Sequence, residues 1–417
     1  MTLSALVSVF AIPLAANAEE NAEWTIMVYL DGDNNLDPYS VIDIEEMMTV
    51  GSTDKVKVLV LWDRYSEPAY LYEILPGELR LLDGLEVDGM EVNGQEISMA
   101  DWRVLEAFVD YGTANMPAEH YMLDLWDHGN AYGYTCWDDH AVAPWNASGA
   151  RAISLAQVVD ALEGTGRMDI LAYDGCTIGM IEIAYELTLI PPEKEVDIGY
   201  LVASEEYIPG LGFPYDSILE KMNAMDDLSD VESVARSLAD EYAACYSPHG
   251  SAKGSANVGL SAIDLSMIGP VVPALESLTG MLIDGLGEDF DQYHDLIAEA
   301  RGEGSLGWSL NGWDQRVDFG TFLATLSMLA EDEEISTLAR QIAEMISDAV
   351  YAANTPALES QSATGLGVWF PVSVRSLGNA NAGYRTLTLY TEAFAFAEDA
   401  SWMDLLYAFW GKAPKPK

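Results

Sequence analysis

An α/β fold around a largely parallel sheet is predicted for this chain by three observations. Strand-like apolar runs alternate with helical patterns through the first 260 residues, the signature of a sheet covered by helices on both faces. The 417 residues, 50% of them hydrophobic, suffice for one large domain and a smaller unit. Two apolar runs, Leu125-Trp126-Asp127-His128-Gly129 and Leu171-Ala172-Tyr173-Asp174-Gly175-Cys176, stop abruptly in polar residues. In such sheets ligands bind at the carboxyl ends of the parallel strands.

The elements follow in order. Trp24 to Leu30 is β-rich and halts at Asp31-Gly32-Asp33-Asn34-Asn35, before a helical pattern from Leu36 to Met48. Val56 to Trp62 is a second strand, and Ala69 to Leu82 reads as a hairpin or excursion. A helix from Met99 to Tyr111 leads into the strand His120 to Trp126. Ser154 and Gln157 form a capping box that starts the next helix. Strand Met168 to Tyr173, helix Ile178 to Leu189, and strand Ile198 to Ala203 follow, then a Gly- and Pro-rich loop from Ser204 to Pro214. Crossovers between the parallel strands should be right-handed. From Ile263 the pattern turns helical, with candidates at Leu265 to Leu286, Phe319 to Leu329, Ile335 to Tyr351 and Thr386 to Ala397, and one strand-like run at Gly365 to Pro371. The expected division is a signal segment at 1–18, an α/β domain at 19–262, a mainly helical region at 263–411 and a disordered tail at 412–417.

Charge narrows the function classes. Sixty-eight acidic residues against 19 basic ones give a net charge of −49, which excludes nucleic acid as a partner because a polyanion is repelled. Dispersed acidity also suits a saline medium. Leu3 to Ala16 is apolar and Ala16-Asn17-Ala18 offers a small-x-small cleavage pattern. No basic residue precedes that run, so it reads as an incomplete export signal, and a secreted protein is expected. No later segment reads as a membrane span. Asn146-Ala147-Ser148 fits a glycosylation sequon and marks an exposed loop. Cys136, Cys176 and Cys245 are odd in number, so one thiol is free or pairs with another chain. A Cys136–Cys245 disulfide stays open, as does oligomeric state.

The candidate chemistry centres on Cys176 and His128. A helix beginning near Thr177 or Ile178 would place its N-terminal dipole at the thiol and lower its pKa. His128 supplies a general base, and the backbone N–H groups of Gly129 and Cys176 are candidate oxyanion donors. The alternatives are a buried structural cysteine and a loop histidine; no metal-ligand spacing accompanies either residue, so no metal site is assigned. Asp31 to Asn35 lacks the glycine and the final glutamate of a calcium loop and reads as a turn and helix cap.

Four segments carry a resemblance: Trp24 to Asp37, His128-Gly129, Asp174 to Glu182, and Ala203 to Asp216. Together they resemble the clostripain family of cysteine peptidases, whose caspase-like fold is a three-layer sandwich. Gly175 and Phe213 stand where the family usually has Ala and Trp. The resemblance implies an endopeptidase with a His128/Cys176 dyad, a thioester acyl-enzyme, and preference for Arg or Lys before the scissile bond of peptide or protein substrates. It implies Asp174 as a pocket carboxylate, with Glu205 or Glu206 as the second. It also implies self-processing: between the dyad residues only Arg151 and Arg167 are basic, and Arg151 lies in a loop suited to nicking. No cofactor is required; some relatives depend on calcium, which leaves calcium open at an unassigned site. The competing readings are a binding protein that keeps the fold without proteolysis, and an amidase for a small cationic substrate.

Overall fold

The computed structural model describes residues 21–140, 150–251, 257–304, 315–356, 363–373 and 380–411. The expected signal segment, the sequon and the basic tail lie outside them.

Nine strands form the central sheet: β1 (Ala22–Gly32), β2 (Val56–Arg64), β3 (Glu67–Leu75), β4 (Glu78–Leu81), β5 (Ala118–Trp126), β6 (Gly166–Asp174), β7 (Val196–Ala203), β8 (Gly259–Asp264) and β9 (Val350–Asn354). Their order is β9-β8-β7-β6-β5-β1-β2-β3-β4. The five central strands, β7 to β2 in that order, pair in parallel, and the outer ones are antiparallel. From β1 the chain moves one way to β2, and from β5 it moves the other way to β6 and β7, so the strand order reverses between β1 and β5. That crevice, outside the carboxyl ends of the strands, is where such sheets bind ligands.

Alternation along the strands divides the core. In β1, Ile26, Val28 and Leu30 face one layer while Met27 and Tyr29 face the other, all of them buried. The first layer is built by α1 (Asp37–Val50), α5 (Tyr215–Ala224) and α6 (Val231–Tyr246). The second is built by α2 (Trp102–Asn115), α3 (Leu155–Ala161) and α4 (Ile181–Thr188) together with the later helices, including α7 (Val271–Glu288), α8 (Phe290–Glu303), α9 (Phe319–Leu329) and α10 (Glu333–Ala349). This is the three-layer sandwich expected. A two-stranded ribbon, Arg316–Asp318 with Gly367–Trp369, attaches beside α4 through the Met180–Gly367 bridge.

Local differences from the sequence reading have tertiary causes. The helical pattern expected to reach Tyr351 stops at Ala349, and Val350–Asn354 becomes a sheet edge paired with β8. The helix expected at Leu265 begins as a short 3₁₀ turn and continues from Val271. The capping box at Ser154 and Gln157 forms as expected.

Candidate active site

Register brings the two strand ends together. Trp126 of β5 pairs with Asp174 of β6, so His128 and Cys176 each stand two residues beyond a matched pair. The Asp127 N–H donates to the Asp174 carbonyl at 3.3 Å, keeping the loops side by side past the ladder. Only glycine fits at 129: a Cβ there would lie 2.6 Å from the Cys176 carbonyl oxygen and 3.0 Å from its nitrogen. Among the described residues, the Gly129 and Cys176 N–H groups donate to no protein acceptor. Two adjacent free donors suit a developing oxyanion.

His128 is half-buried, and its Nε2 lies 3.0 Å from Asn35 Oδ1. An amide oxygen only accepts, so this bond puts the proton on Nε2 and leaves Nδ1 as the basic nitrogen. Burial lowers the imidazolium pKa below its ordinary value, with the Asp139 charge opposing. The His128 loop is tied down by Thr135 Oγ1, which donates to the His128 carbonyl at 3.2 Å. Asp127 Oδ1 accepts from Asn34 Nδ2 at 2.8 Å, and Asp127 Oδ2 accepts from the Trp137 N–H.

The Cys176 environment departs from expectation. The next helix, α4, starts at Ile181, five residues on. Thr177 takes φ 63°, its N–H donates to the Glu206 carbonyl, and the Gly179 N–H donates to the Ser204 carbonyl. Thr177 and Gly179 therefore pair with the loop after β7 instead of opening a first helical turn, and no helix N-terminus sits at the sulfur. Burial pushes the thiol up, partly offset by the Ile208 backbone and by the Arg316 charge; the sulfur also lies 3.7 Å from the Ile208 carbonyl oxygen, an acceptor that favours the neutral thiol. Cys136 is buried, and Cys136 and Cys245 are unpaired.

Beside the thiol lies a cavity of about 120 Å³ walled by Leu36, Trp126, His128, Asp174 and the Ile208 to Gly212 loop. Asp174 Oδ2 accepts from the Phe213 N–H at 2.7 Å. Strand alternation puts Asp124 on the same face, where Tyr215 Oη donates to Asp124 Oδ2 at 2.7 Å and to Asp174 Oδ2 at 3.3 Å. Asp43 of α1 accepts from Trp126 Nε1 at 2.7 Å. Burial drives all three carboxyls up, Asp124 to about 6. A cation entering the cavity would restore their charge.

Glu205 and Glu206 are buried but do not line this cavity. Glu205 Oε1 accepts from the Gly365 N–H at 3.1 Å, and Arg316 donates to the Glu205 carbonyl. Glu205 faces the Arg316–Asp318 ribbon, and the second wall carboxylate expected from this pair is absent among the lining residues. Arg151 is exposed and its carbonyl accepts from the Asp138 N–H at 3.3 Å, whereas Arg167 pairs with Asp169 at the start of β6. Asn35, Asp124 and Asp43 escaped the sequence reading. Asn35 closes a stretch that reads as a turn, and the carboxylates sit inside apolar runs whose neighbours only the sheet reveals.

A cysteine and a histidine at neighbouring parallel strand ends of a three-layer sandwich define the caspase-like class of α/β proteins. The clostripain family model, peptidase family C11, matches residues 28–306, and the chain belongs to this family. Clostripain of Hathewaya histolytica is 30% identical over 237 residues, a match that takes in 50% of this chain and 44% of clostripain. The matched part thus spans less than half the length of that relative. A secreted C11 cysteine protease from Bacteroides thetaiotaomicron, solved with an irreversible peptide inhibitor, superposes with a TM-score of 0.62 at 18% identity, covering 92% of this chain and 100% of that one. An inactive zymogen C11 protease from Parabacteroides distasonis gives 0.58 at 18% identity, covering 91% and 98%. At such identities the likeness is one of fold.

Proposed function

We propose that this chain is an exported cysteine endopeptidase that cleaves peptide bonds after Arg or Lys. The observation that carries the reading is the matched Trp126/Asp174 register, which sets a base, a thiol, two free N–H donors and a carboxylate-floored cavity around one point. His128 Nδ1 takes the Cys176 proton as sulfur attacks the scissile carbonyl, and the oxyanion is held by the Gly129 and Cys176 N–H groups. The C–N bond then breaks, His128 protonates the leaving amine, and water hydrolyses the thioester with His128 as base. Asp174, backed by Asp124, receives the guanidinium or ammonium of the preceding residue.

Family membership supports the reaction class, and the absence of a membrane-length apolar helix among the described residues is compatible with export. Exposure of Arg151 supports cleavage of the Arg151–Ala152 bond as an activating step. The test is a fluorogenic peptide panel that varies only the residue before the scissile bond. Wild type should cleave only Arg and Lys members, and Cys176→Ala or His128→Ala should lower kcat about 10³-fold or more. Cleavage that survives either substitution, or that favours neutral residues, overturns the assignment. An intact Arg151→Ala chain with full activity removes the processing step.

A further inference from the structure

The catalytic steps draw nothing from the C-terminal part of the chain, yet one buried charge from that part lies against the loop beside the nucleophile. The protein has 19 basic residues, and among the described residues two of their side chains are buried, those of Arg301 and Arg316. Arg316 opens the ribbon strand Arg316–Asp318, all of which is buried, and is itself 4% exposed. Its backbone pairs with Trp369. The ribbon is tied to the segment after Cys176 by Gly367, whose N–H donates to the Gly179 carbonyl at 2.8 Å. Burying a guanidinium costs free energy that a well-packed apolar residue of similar volume would not, so packing alone does not call for arginine here.

The guanidinium reaches the loop that borders the thiol. Its Nη1 donates to the Glu205 carbonyl, and its central carbon lies 5.1 Å from the centre of the Tyr207 ring, a cation–π distance. One residue along, the Glu206 carbonyl accepts from the Thr177 N–H at 3.0 Å, and the Ile208 carbonyl oxygen lies 3.7 Å from the Cys176 sulfur. Arg316 thus holds a loop, 205–208, whose carbonyls also meet Thr177 and Cys176. The carboxyl groups around the guanidinium and the sulfur are those of Glu205, Glu206 and Asp318 on one side and Asp174 and Asp127 on the other. Burial and the neighbouring Asp318 push the Glu205 carboxyl up, so Glu205 keeps its proton and does not cancel the arginine. At the sulfur the Arg316 charge opposes those of Asp174 and Asp127.

We propose that Arg316 is a positioning residue for Cys176, a fixed positive charge supplied by the C-terminal region that stabilises the sulfur anion formed during catalysis. The inference rests on Cys176 being the nucleophile. When His128 takes the thiol proton, the sulfur acquires negative charge in a partly buried place where Asp174 and Asp127 repel it. A guanidinium held by a carbonyl and an aromatic ring keeps both its place and its proton at any working pH. The same sulfur anion leaves when water hydrolyses the thioester, so one charge serves both halves of the reaction. The later helices thereby acquire a part in the chemistry, because the charge is in place only while the ribbon is seated beside α4.

The test reads the sulfur directly. Alkylation of Cys176 by iodoacetamide is followed against pH in the folded, full-length protein, with peptide mass spectrometry separating it from Cys245. Arg316→Gln keeps a donor for the Glu205 carbonyl and removes the charge. Its alkylation midpoint should rise by about one pH unit, and kcat should fall about 10-fold with KM little changed. Arg316→Lys keeps the charge and should hold the midpoint close to that of wild type. A loop-holding arginine whose charge does nothing would lower activity in both variants and leave both midpoints in place, and that result overturns the proposal. A midpoint that shifts as stated in a chain that cleaves no peptide refutes the peptidase reading instead, and leaves the charge at the sulfur standing. Should Arg316→Gln fail to fold, Arg316→Met carries the same two readouts. Loss of folding in both neutral variants makes Arg316 a structural residue and also overturns the proposal.

Discussion

At Cys176 burial favours the neutral thiol, and at His128 burial favours the neutral imidazole. The resting pair is therefore uncharged, and the reading above requires His128 to act as a base during attack instead of sitting beside a preformed thiolate. Asn35 becomes a positioning residue, because its Oδ1 decides which imidazole nitrogen is basic. Asn35→Ala should lower kcat about 10- to 100-fold, the usual scale for an orienting partner, with KM little changed. Asn35→Asp keeps the acceptor and adds a charge that stabilises imidazolium, so it should restore most of kcat and move the acid limb of the kcat/KM profile to higher pH. A purely structural Asn35 would leave that limb where it was in both variants. The contrast between His128 and Asn35 shows what a sequence discloses about a site. His128 and Cys176 were legible because each ends an apolar run, whereas Asn35 matters only because β1 lies beside β5, a pairing that local pattern does not encode.

Among the elements, α4 is the joint between the sheet and the later helices. Its Glu182 is fully buried, and Oε1 accepts from the Trp369 N–H of the ribbon and from Tyr390 Oη, each at 2.8 Å. Burial lifts its carboxyl from 4.5 to about 7. For an acid whose folded pKa is raised, the stabilising effect is complete below the unfolded value and is lost as pH rises through the folded one. Glu182 thus weakens the fold progressively between about pH 4.5 and about pH 7. Glutamine keeps the acceptor and cannot ionise, so Glu182→Gln should be near neutral at about pH 4 and stabilising by roughly 2–3 kcal/mol at about pH 8. Denaturant midpoints at the two pH values check this, and equal effects at both would show that Glu182 ionises without cost. The same joint explains where the sequence reading of elements failed. Ile178 to Met180 continue an apolar helical pattern, yet Gly179 and Met180 are claimed by Ser204 and Gly367. Val350 to Asn354 are likewise drawn out of α10 by β8, almost ninety residues earlier in the chain. Strands that are apolar runs buried on both faces of the sheet, such as β1 and β5, meet no such competition, and their sequence pattern marks them nearly to their ends.

For the whole molecule the decisive quantity is a net charge of −49. With 19 basic residues against 68 acidic ones, most carboxylates lack a basic partner of their own, and Asp43, Asp124 and Asp174 at the pocket floor are driven toward protonation. Unfolding spreads this charge over a larger volume, so self-repulsion favours the unfolded chain. Salt weakens that drive: the Debye length falls from about 10 Å at 0.1 M to about 3 Å at 1 M. The melting midpoint in EDTA should therefore rise by about 5 °C or more between those concentrations of sodium chloride, and rise similarly with potassium chloride. Differential scanning calorimetry measures both effects on one chain. A midpoint that stays flat or falls with salt would mean that the few ion pairs, such as Arg64 with Asp37 and Arg103 with Asp101, outweigh the general repulsion. The acidity would then tell of solubility alone and not of the medium in which the protein folds.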